Sequence, residues 1–121
     1  MRSLIIIIAT LPLLLLGAAP VPAHTQLERS SPAAGNSLAA APKEVVLSFT
    51  SNLEPAFSTI EVQDASGAAM QTGKSVVDPK LRTQMRVPLK ALPPGTYKVI
   101  WRVLSVDTHR TQGSFTFRVG P

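Results

Sequence analysis

Asp107 and His109 form a pair of residues in this 121-residue sequence whose types and spacing could bind a metal ion. Only Thr108 separates them, and residues i and i+2 of an extended segment project to the same side of the chain. In an extended segment the pair would offer a carboxylate oxygen and an imidazole nitrogen to one point. The alternative for so short a motif is a turn that carries a solvated histidine. Two donors do not complete a site, so further ligands are needed.

The second histidine, His24, follows a segment typical of protein export. Arg2 precedes an apolar run from Leu4 to Leu16, and Val21-Pro22-Ala23 places small residues where a signal peptidase cleaves. We therefore expect residues 1–23 to be a removable signal peptide. The alternative is an uncleaved membrane anchor, but the apolar run is shorter than the ~20 residues that a membrane-spanning helix needs.

Cleavage after Ala23 would make His24 the first residue of one exported domain, residues 24–121. An N-terminal histidine can hold a metal through its α-amine and its imidazole Nδ1 together. An α-amine has a pKa of about 7.7–8.0, so a metal can displace its proton near neutral pH. With Asp107 and His109 the donors are three nitrogens and one oxygen, and tetragonal N,O ligation is the preference of Cu(II). Ni(II) and Zn(II) are weaker alternatives for the same donors.

The composition narrows the chemistry further. The sequence contains no cysteine, so a metal site must use histidine, carboxylate, amine or methionine, which excludes thiolate zinc and blue-copper sites. Without Arg2 the exported domain carries a net charge of +4, from 11 basic and 7 acidic residues. The basic residues are scattered singly, as on solvated strand faces, which argues against nucleic-acid binding. A modest attraction to an anionic membrane surface stays open.

Alternating apolar and polar residues predict short β-strands. The clearest alternation places Tyr97, Val99, Trp101 and Val103 on one face of a strand. Other alternating runs lie at 45–50, 57–62, 85–90 and 115–120. We expect Trp101 to pack in the core, since buried aromatic side chains usually serve packing.

Turn residues separate these runs, and no helical stripe interrupts them. Asp64–Gly67 predicts a hairpin connection, and Pro93–Thr96 predicts a type II turn with a positive φ at Gly95. Short strands at this spacing predict an all-β fold, a β-sandwich or Greek-key barrel of about seven strands.

Several longer tracts carry family-specific motifs. They are H-T-Q-L from His24, S-S-P-A-A-G at 30–35, V-V-L-S-F at 45–49, L-P-P-G-T-Y-K-V-I-W-R-V-L-S-V-D-T-H at 92–109 and G-S-F-T-F at 113–117. In this combination the sequence resembles the CopC family of periplasmic copper-resistance proteins. The resemblance covers essentially all of the exported domain, and the tract that ends in D-T-H is its most specific part.

The resemblance implies a single Cu(II) site made by His24, Asp107 and His109, on a cupredoxin-like or immunoglobulin-like Greek-key sandwich. It implies a non-enzymatic protein that sequesters or carries one copper ion in the periplasm, for copper resistance or homeostasis. It also implies a delivery partner, an inner-membrane copper transporter of the CopD type. We expect the exported domain to be a monomer that does not span the membrane.

Three departures from the family pattern bear on the site. The family motif usually reads S-x-D-G-H, and Thr108 replaces its glycine; a residue that points away from its neighbours in an extended segment should leave the ligands in place. Ser51 stands where the family often has a glutamate, with Glu54 three residues later. Some members bind Cu(I) through a methionine-rich loop, whereas this domain has only Met70 and Met85. We expect Met85 to serve packing, and the lack of a methionine cluster argues against a Cu(I) site.

Two other functions compete with the carrier. One is a histidine-brace copper monooxygenase, although so small a domain leaves little room for a polysaccharide-binding face and an aspartate ligand blocks a position that oxygen would need. The other is a metal-free immunoglobulin-like interaction module, since such sandwiches host many functions. A hydrolase is disfavoured because Asp107 and His109 have no neighbouring nucleophile; Ser105 is expected to be structural.

Overall fold

The computed structural model describes residues 3–10, 12 and 25–121, and its regular elements are β-strands with one turn of 3-10 helix. In chain order they are β1 (Leu27–Ser31), β2 (Ser37–Leu38), β3 (Glu44–Phe49), the 3-10 turn (Pro55–Phe57), β4 (Thr59–Gln63), β5 (Val76–Val77), β6 (Gln84–Pro88), β7 (Gly95–Leu104) and β8 (Arg110–Val119). The predicted all-β class is confirmed. The described residues form eight strands rather than about seven. Of these, β2 and β5 have two residues each, too few to show an alternation.

The strands form two four-stranded sheets. In the first sheet the order is β1-β3-β6-β5, and every neighbouring pair is antiparallel. In the second sheet the order is β2-β8-β7-β4, where β2 runs parallel to β8 and the other pairs are antiparallel. Strands that are consecutive in the chain repeatedly fall in opposite sheets, which is the arrangement of a Greek-key sandwich.

The inner faces of the two sheets supply the hydrophobic core. Val45, Leu47 and Phe49 of β3 are buried against the predicted inward face of β7, Tyr97 to Val103. In the described chain, every core residue and every side chain packed on the core lies between Leu27 and Val119. The apolar residues Leu4 to Ile8 are exposed. Residues 25–121 therefore contain the whole of the described core.

No helix in residues 3–10, 12 and 25–121 combines the length and the apolar composition that a bilayer crossing requires.

Trp101 lies between the sheets, as predicted, and meets Phe49 edge to face with ring centroids 5.3 Å apart. Its neighbour across the sheet is Gly113 of β8. A Cβ atom at Gly113 would lie 2.3 Å from Cζ2 of the tryptophan ring. The indole therefore occupies the space that a side chain at Gly113 would need.

Gly113→Ala is expected to destabilise the domain by about 1–3 kcal/mol, because overpacking a core forces side chains off their rotamers. Urea unfolding followed by Trp101 fluorescence measures the effect. The matched control is Gly120→Ala, since no atom lies within 4 Å of the Cβ position there. Equal stability of the two variants would contradict the packing argument.

Of the two predicted turns, one is confirmed and one is wrong. Asp64–Gly67 forms the hairpin connection: Gly67 has φ +87°, and Asp64 Oδ1 accepts bonds from Ser66 and from the Ala68 backbone N–H. The positive φ predicted at Gly95 is absent, as the structure gives only Gly35 and Gly67 such values among the described glycines. The segment before Gly95 leads from the first sheet to the second, so it need not reverse between neighbouring strands.

Candidate metal centre

Asp107 and His109 lie in the connection between β7 and β8. The Ser105 backbone N–H donates to the His109 carbonyl oxygen at 3.0 Å, and the Thr108 N–H donates to the Ser105 carbonyl at 2.9 Å. Thr108 has φ +73°. The expectation of an extended Asp-Thr-His segment is therefore wrong, because β7 and β8 are antiparallel neighbours and the chain must reverse within a few residues.

The turn nevertheless brings the two predicted ligands together. His109 Nδ1 lies 3.3 Å from Asp107 Oδ2, and the side chains are 37% and 55% exposed. Two donors at this separation, each about 2.0–2.2 Å from a metal, subtend roughly 100° at the ion. That angle suits neighbouring positions of a tetragonal or a tetrahedral site. The two side chains are partly exposed, whereas the His109 Nδ1 atom itself is buried.

Ser105 positions the carboxylate from below. The residue is fully buried, its hydroxyl donates to Asp107 Oδ1, and the same oxygen lies 3.2 Å from the His109 carbonyl oxygen. The bond from Ser105, followed by that from His109, holds the pKa of Asp107 below its ordinary value. The carboxylate is thus kept ionised, with Oδ2 directed toward His109.

This geometry agrees with the structural role expected for Ser105, since its hydroxyl is directed at a carboxylate rather than at a general base. The contact with Asp107 itself was not anticipated from the sequence. The sequence does show a serine two residues before Asp107, but that spacing does not reveal that the hydroxyl is buried and directed at the carboxylate.

The segment at residues 50–54 makes hydrogen bonds both to this turn and to Gln26, which precedes the first strand. The Gln26 N–H donates to Thr50 Oγ1 at 2.9 Å, and the Thr50 N–H donates to the Gln26 carbonyl at 3.0 Å. Two residues later, the Asn52 carbonyl accepts the Val106 N–H at 3.0 Å. We call residues 105–109 the Asp107 turn. Gln26 and Val106, the residue that precedes Asp107, are therefore both hydrogen-bonded to residues 50–52.

The third predicted ligand, His24, lies outside the described residues. Thr25 and Gln26 are the residues nearest to it that the structure describes, and Thr25 is buried. The structure therefore brings Asp107 and His109 together, while the participation of His24 stays a prediction.

Other donors do not join the pair within the described residues. No group of three histidine, cysteine or carboxylate side chains suitable for a metal occurs in residues 3–10, 12 and 25–121, so Glu54 does not complete the site. Met85 is fully buried in the core, as expected, and Met70 is partly buried and packs against the core. Neither thioether lies on an exposed surface beside the turn.

Comparison with known proteins agrees with these motifs. A family model described as the CopC domain matches residues 27–120. The chain belongs to the CopC family. It is 37% identical over 98 residues to protein YobA of Escherichia coli K12, covering 80% of this chain and 79% of that protein. It is 38% identical over 105 residues to copper resistance protein C of Pseudomonas syringae pv. tomato, covering 80% and 81% of the two chains.

The CopC fold is shown by solved structures as well. The crystal structure of CopC from Methylosinus trichosporium OB3b superposes with a TM-score of 0.76 at 34% identity, over 81% of this chain and 95% of that one. The predicted Greek-key sandwich and the family assignment are both confirmed.

The backbone of this CopC-family chain favours glycine between Asp107 and His109, which is the residue that the resemblance implied there. At φ +73° the Cβ of an L residue crowds the following carbonyl oxygen, and a β-branched residue is especially disfavoured. Thr108 occupies this position under strain. The donors remain together because the hydrogen bonds of Ser105 hold the turn.

Thr108→Gly is expected to stabilise the domain by about 0.5–1 kcal/mol, which is the relief of left-handed strain less the chain entropy of glycine. Thermal unfolding of the metal-free domain measures the change. Thr116→Gly is the matched control: Thr116 is exposed in the middle of β8, where glycine should destabilise. A lower melting temperature for Thr108→Gly than for the parent would refute the strain.

Proposed function

We propose that this protein is a periplasmic Cu(II)-binding protein that sequesters or carries one copper ion through His24, Asp107 and His109, without catalysing a reaction. The observation that supports it most is the approach of Asp107 Oδ2 to His109 Nδ1, 3.3 Å apart, on two side chains that are partly exposed. Relatives in the same family are named copper resistance protein C, and the donor chemistry suits Cu(II).

The amine and imidazole of His24 complete the proposed site after a signal peptide, residues 1–23, is removed. Gln26 is attached to Thr50, and His24 is two residues upstream, within about 7 Å along an extended chain. Val106 is attached to Asn52, which is two residues beyond Thr50. The chain length therefore allows the His24 donors to meet the Asp107 turn.

The site would act as a carrier rather than an enzyme. Asp107 contributes a negative charge and occupies a coordination position, which leaves less room for the oxygen chemistry of a histidine-brace monooxygenase. Partial exposure of both side chains allows copper to enter and leave. A CopD-type inner-membrane copper transporter is proposed as the recipient, and release of copper to such a transporter in a reconstituted membrane tests that step.

Calorimetric titration of the exported domain with Cu(II), together with native mass spectrometry, tests the proposal. One bound copper ion and a chain beginning at His24 are expected. Absence of Cu(II) binding would favour the metal-free interaction module. Release of oxidised oligosaccharides from cellulose or chitin by the copper-loaded domain with a reductant would instead establish the monooxygenase.

Copper affinity is expected to fall steeply below about pH 6, because α-amines titrate near 7.7–8.0 and imidazoles near 6.5, and both must lose protons to bind. Asp107 does not cause this loss, since its pKa lies below the ordinary carboxyl value and the group stays ionised in that range. Competition titrations at pH 7.5 and pH 5 measure the effect. Equal affinities at the two pH values would exclude this ligand set.

A further inference from the structure

The outer surface of the second sheet carries an excess of positive charge. Alternate residues of β7 and β8 point away from the core, and exposed basic residues occupy four of these positions. They are Lys98, Arg102, Arg110 and Arg118, here called the basic face. The strand register runs from Thr96 beside Arg118 to Leu104 beside Arg110. At about 3.4 Å per residue the basic face is roughly 27 Å long.

The basic face carries more cations than carboxylates. Within residues 25–121, none of its four cations makes a salt bridge with a described carboxylate. Glu61 of β4 lies on the same side of the sheet, and its carboxylate accepts a bond from Gln63. On the first sheet, by contrast, Arg86 lies 3.8 Å from Glu44 and 3.7 Å from Asp78. Other exposed cations on or beside the first sheet, namely Arg29, Lys43, Lys80 and Arg82, likewise make no salt bridge with a described carboxylate. The second sheet differs in that its four cations share the outward face of a single strand pair.

The basic face contains open depressions. Two open depressions of about 270 and 370 Å³ adjoin along it, and both are lined by Arg102 and Gln112. Phe57, which is 59% exposed, borders the one that also contains Arg110. Arg102 and Arg110 line one depression, and Lys98 and Arg102 line the other, so the cations are distributed along the strand pair rather than gathered in a single pocket.

We propose that the basic face docks the domain on an anionic phospholipid surface. Basic residues near such a surface each strengthen binding about fivefold, and four of them act together without requiring a fitted pocket. An exposed aromatic beside basic residues suits the boundary between headgroups and acyl chains. Because Arg110 directly follows His109, a domain lying on this face holds the Asp107 turn next to the membrane.

Co-sedimentation of residues 24–121, which include the whole of the described core, with lipid vesicles tests the proposal. Binding is expected to vesicles of equal parts phosphatidylglycerol and phosphatidylcholine, and not to phosphatidylcholine alone. Raising the ionic strength from ~0.05 to ~0.3 M should release the protein, because salt screens exposed charges. Failure to bind the phosphatidylglycerol vesicles at low salt would overturn the proposal.

The variant Lys98→Glu with Arg102→Glu should reduce vesicle binding at least 25-fold, at about fivefold for each charge removed. The matched control, Lys43→Glu with Lys80→Glu, has the same net charge but alters exposed lysines beside the first sheet. The control should retain most of the binding. An equal loss in both variants would show that net charge alone is responsible for vesicle binding, and would overturn the proposal that the basic face is the docking surface.

Two further measurements separate the proposed lipid binding from misfolding of the variant and from binding to an acidic protein. Lys98→Gln with Arg102→Gln, checked by circular dichroism, should lose binding less severely while remaining folded, and full binding by this variant would contradict the proposal. Retention on immobilised polyglutamate without binding to the anionic vesicles would reassign the basic face to an acidic protein. Copper titrations are unaffected by either result, so this test is independent of the metal site.

Discussion

Extending the exported chain by Gly-Pro before His24 is expected to weaken Cu(II) binding by about 3 kcal/mol, or more than a hundredfold. Structural zinc sites with four ligands bind their metal with about 10–16 kcal/mol, and on that scale one ligand contributes roughly a quarter. In the extended chain the His24 nitrogen is an amide, and proline interposes a nitrogen without a proton to lose. Because the proline nitrogen cannot bind the metal, the new terminal amine and the His24 imidazole cannot be linked by an unbroken series of chelate rings.

Competition titration against a Cu(II) chelator measures this loss at pH 7.5. The control carries the same Gly-Pro extension after Pro121 and should bind as the parent does. Both extended proteins should keep the parent's circular dichroism, because the described core begins at Leu27. An unchanged affinity in the first variant would remove the α-amine from the site, and with it the role proposed for signal cleavage.

Replacing His109 with alanine is expected to weaken Cu(II) binding by a similar factor, about a hundredfold, since an imidazole ligand is lost. The side chain is 37% exposed, and the backbone carbonyl that accepts the Ser105 N–H is retained. We therefore expect little change in the stability of the metal-free domain. The same chelator competition, with urea unfolding alongside it, separates loss of affinity from loss of folding.

Val106→Ala is the matched control for this experiment, because Val106 is exposed in the same turn and offers no side-chain donor. It should bind copper as the parent does. Asp107→Asn should give an intermediate loss of roughly tenfold, since it keeps an oxygen near Ser105 but removes the charge that favours a cation. If His109→Ala bound copper like Val106→Ala, the Asp107 turn would not be the metal site.

Periodicity and chemical type account for the parts of the structure that could be predicted. Residues 97–103 alternate because one side of β7 faces the core, so burial could be predicted from the sequence. No run is predicted for β1, β2 or β5: β1 has no regular alternation of burial, β2 and β5 have two residues each, and the hydrogen bonds of all three depend on neighbours distant in sequence. Gly95 was misassigned because proline and glycine mark a break in the chain without revealing whether it joins strands of one sheet or of two.

At the Asp107 turn, too, some features could be predicted from the sequence and others could not. The residue types indicated candidate ligands, and the structure places the side chains of Asp107 and His109 3.3 Å apart. The extended conformation predicted for them was wrong because local spacing does not reveal that β7 and β8 are hydrogen-bonded neighbours. The left-handed backbone at Thr108 and the buried hydroxyl of Ser105 follow from that pairing.

The sequence by itself determined the all-β class, the family and the donor types of the candidate metal site, because these depend on short-range alternation and on chemical identity. Only the tertiary structure decided which distant residues share a surface. Lys98 and Arg118 are scattered in the sequence, yet they lie on one face because β7 and β8 pair antiparallel and their outward positions align. Gly113 is required for the same reason, since the register places it opposite Trp101.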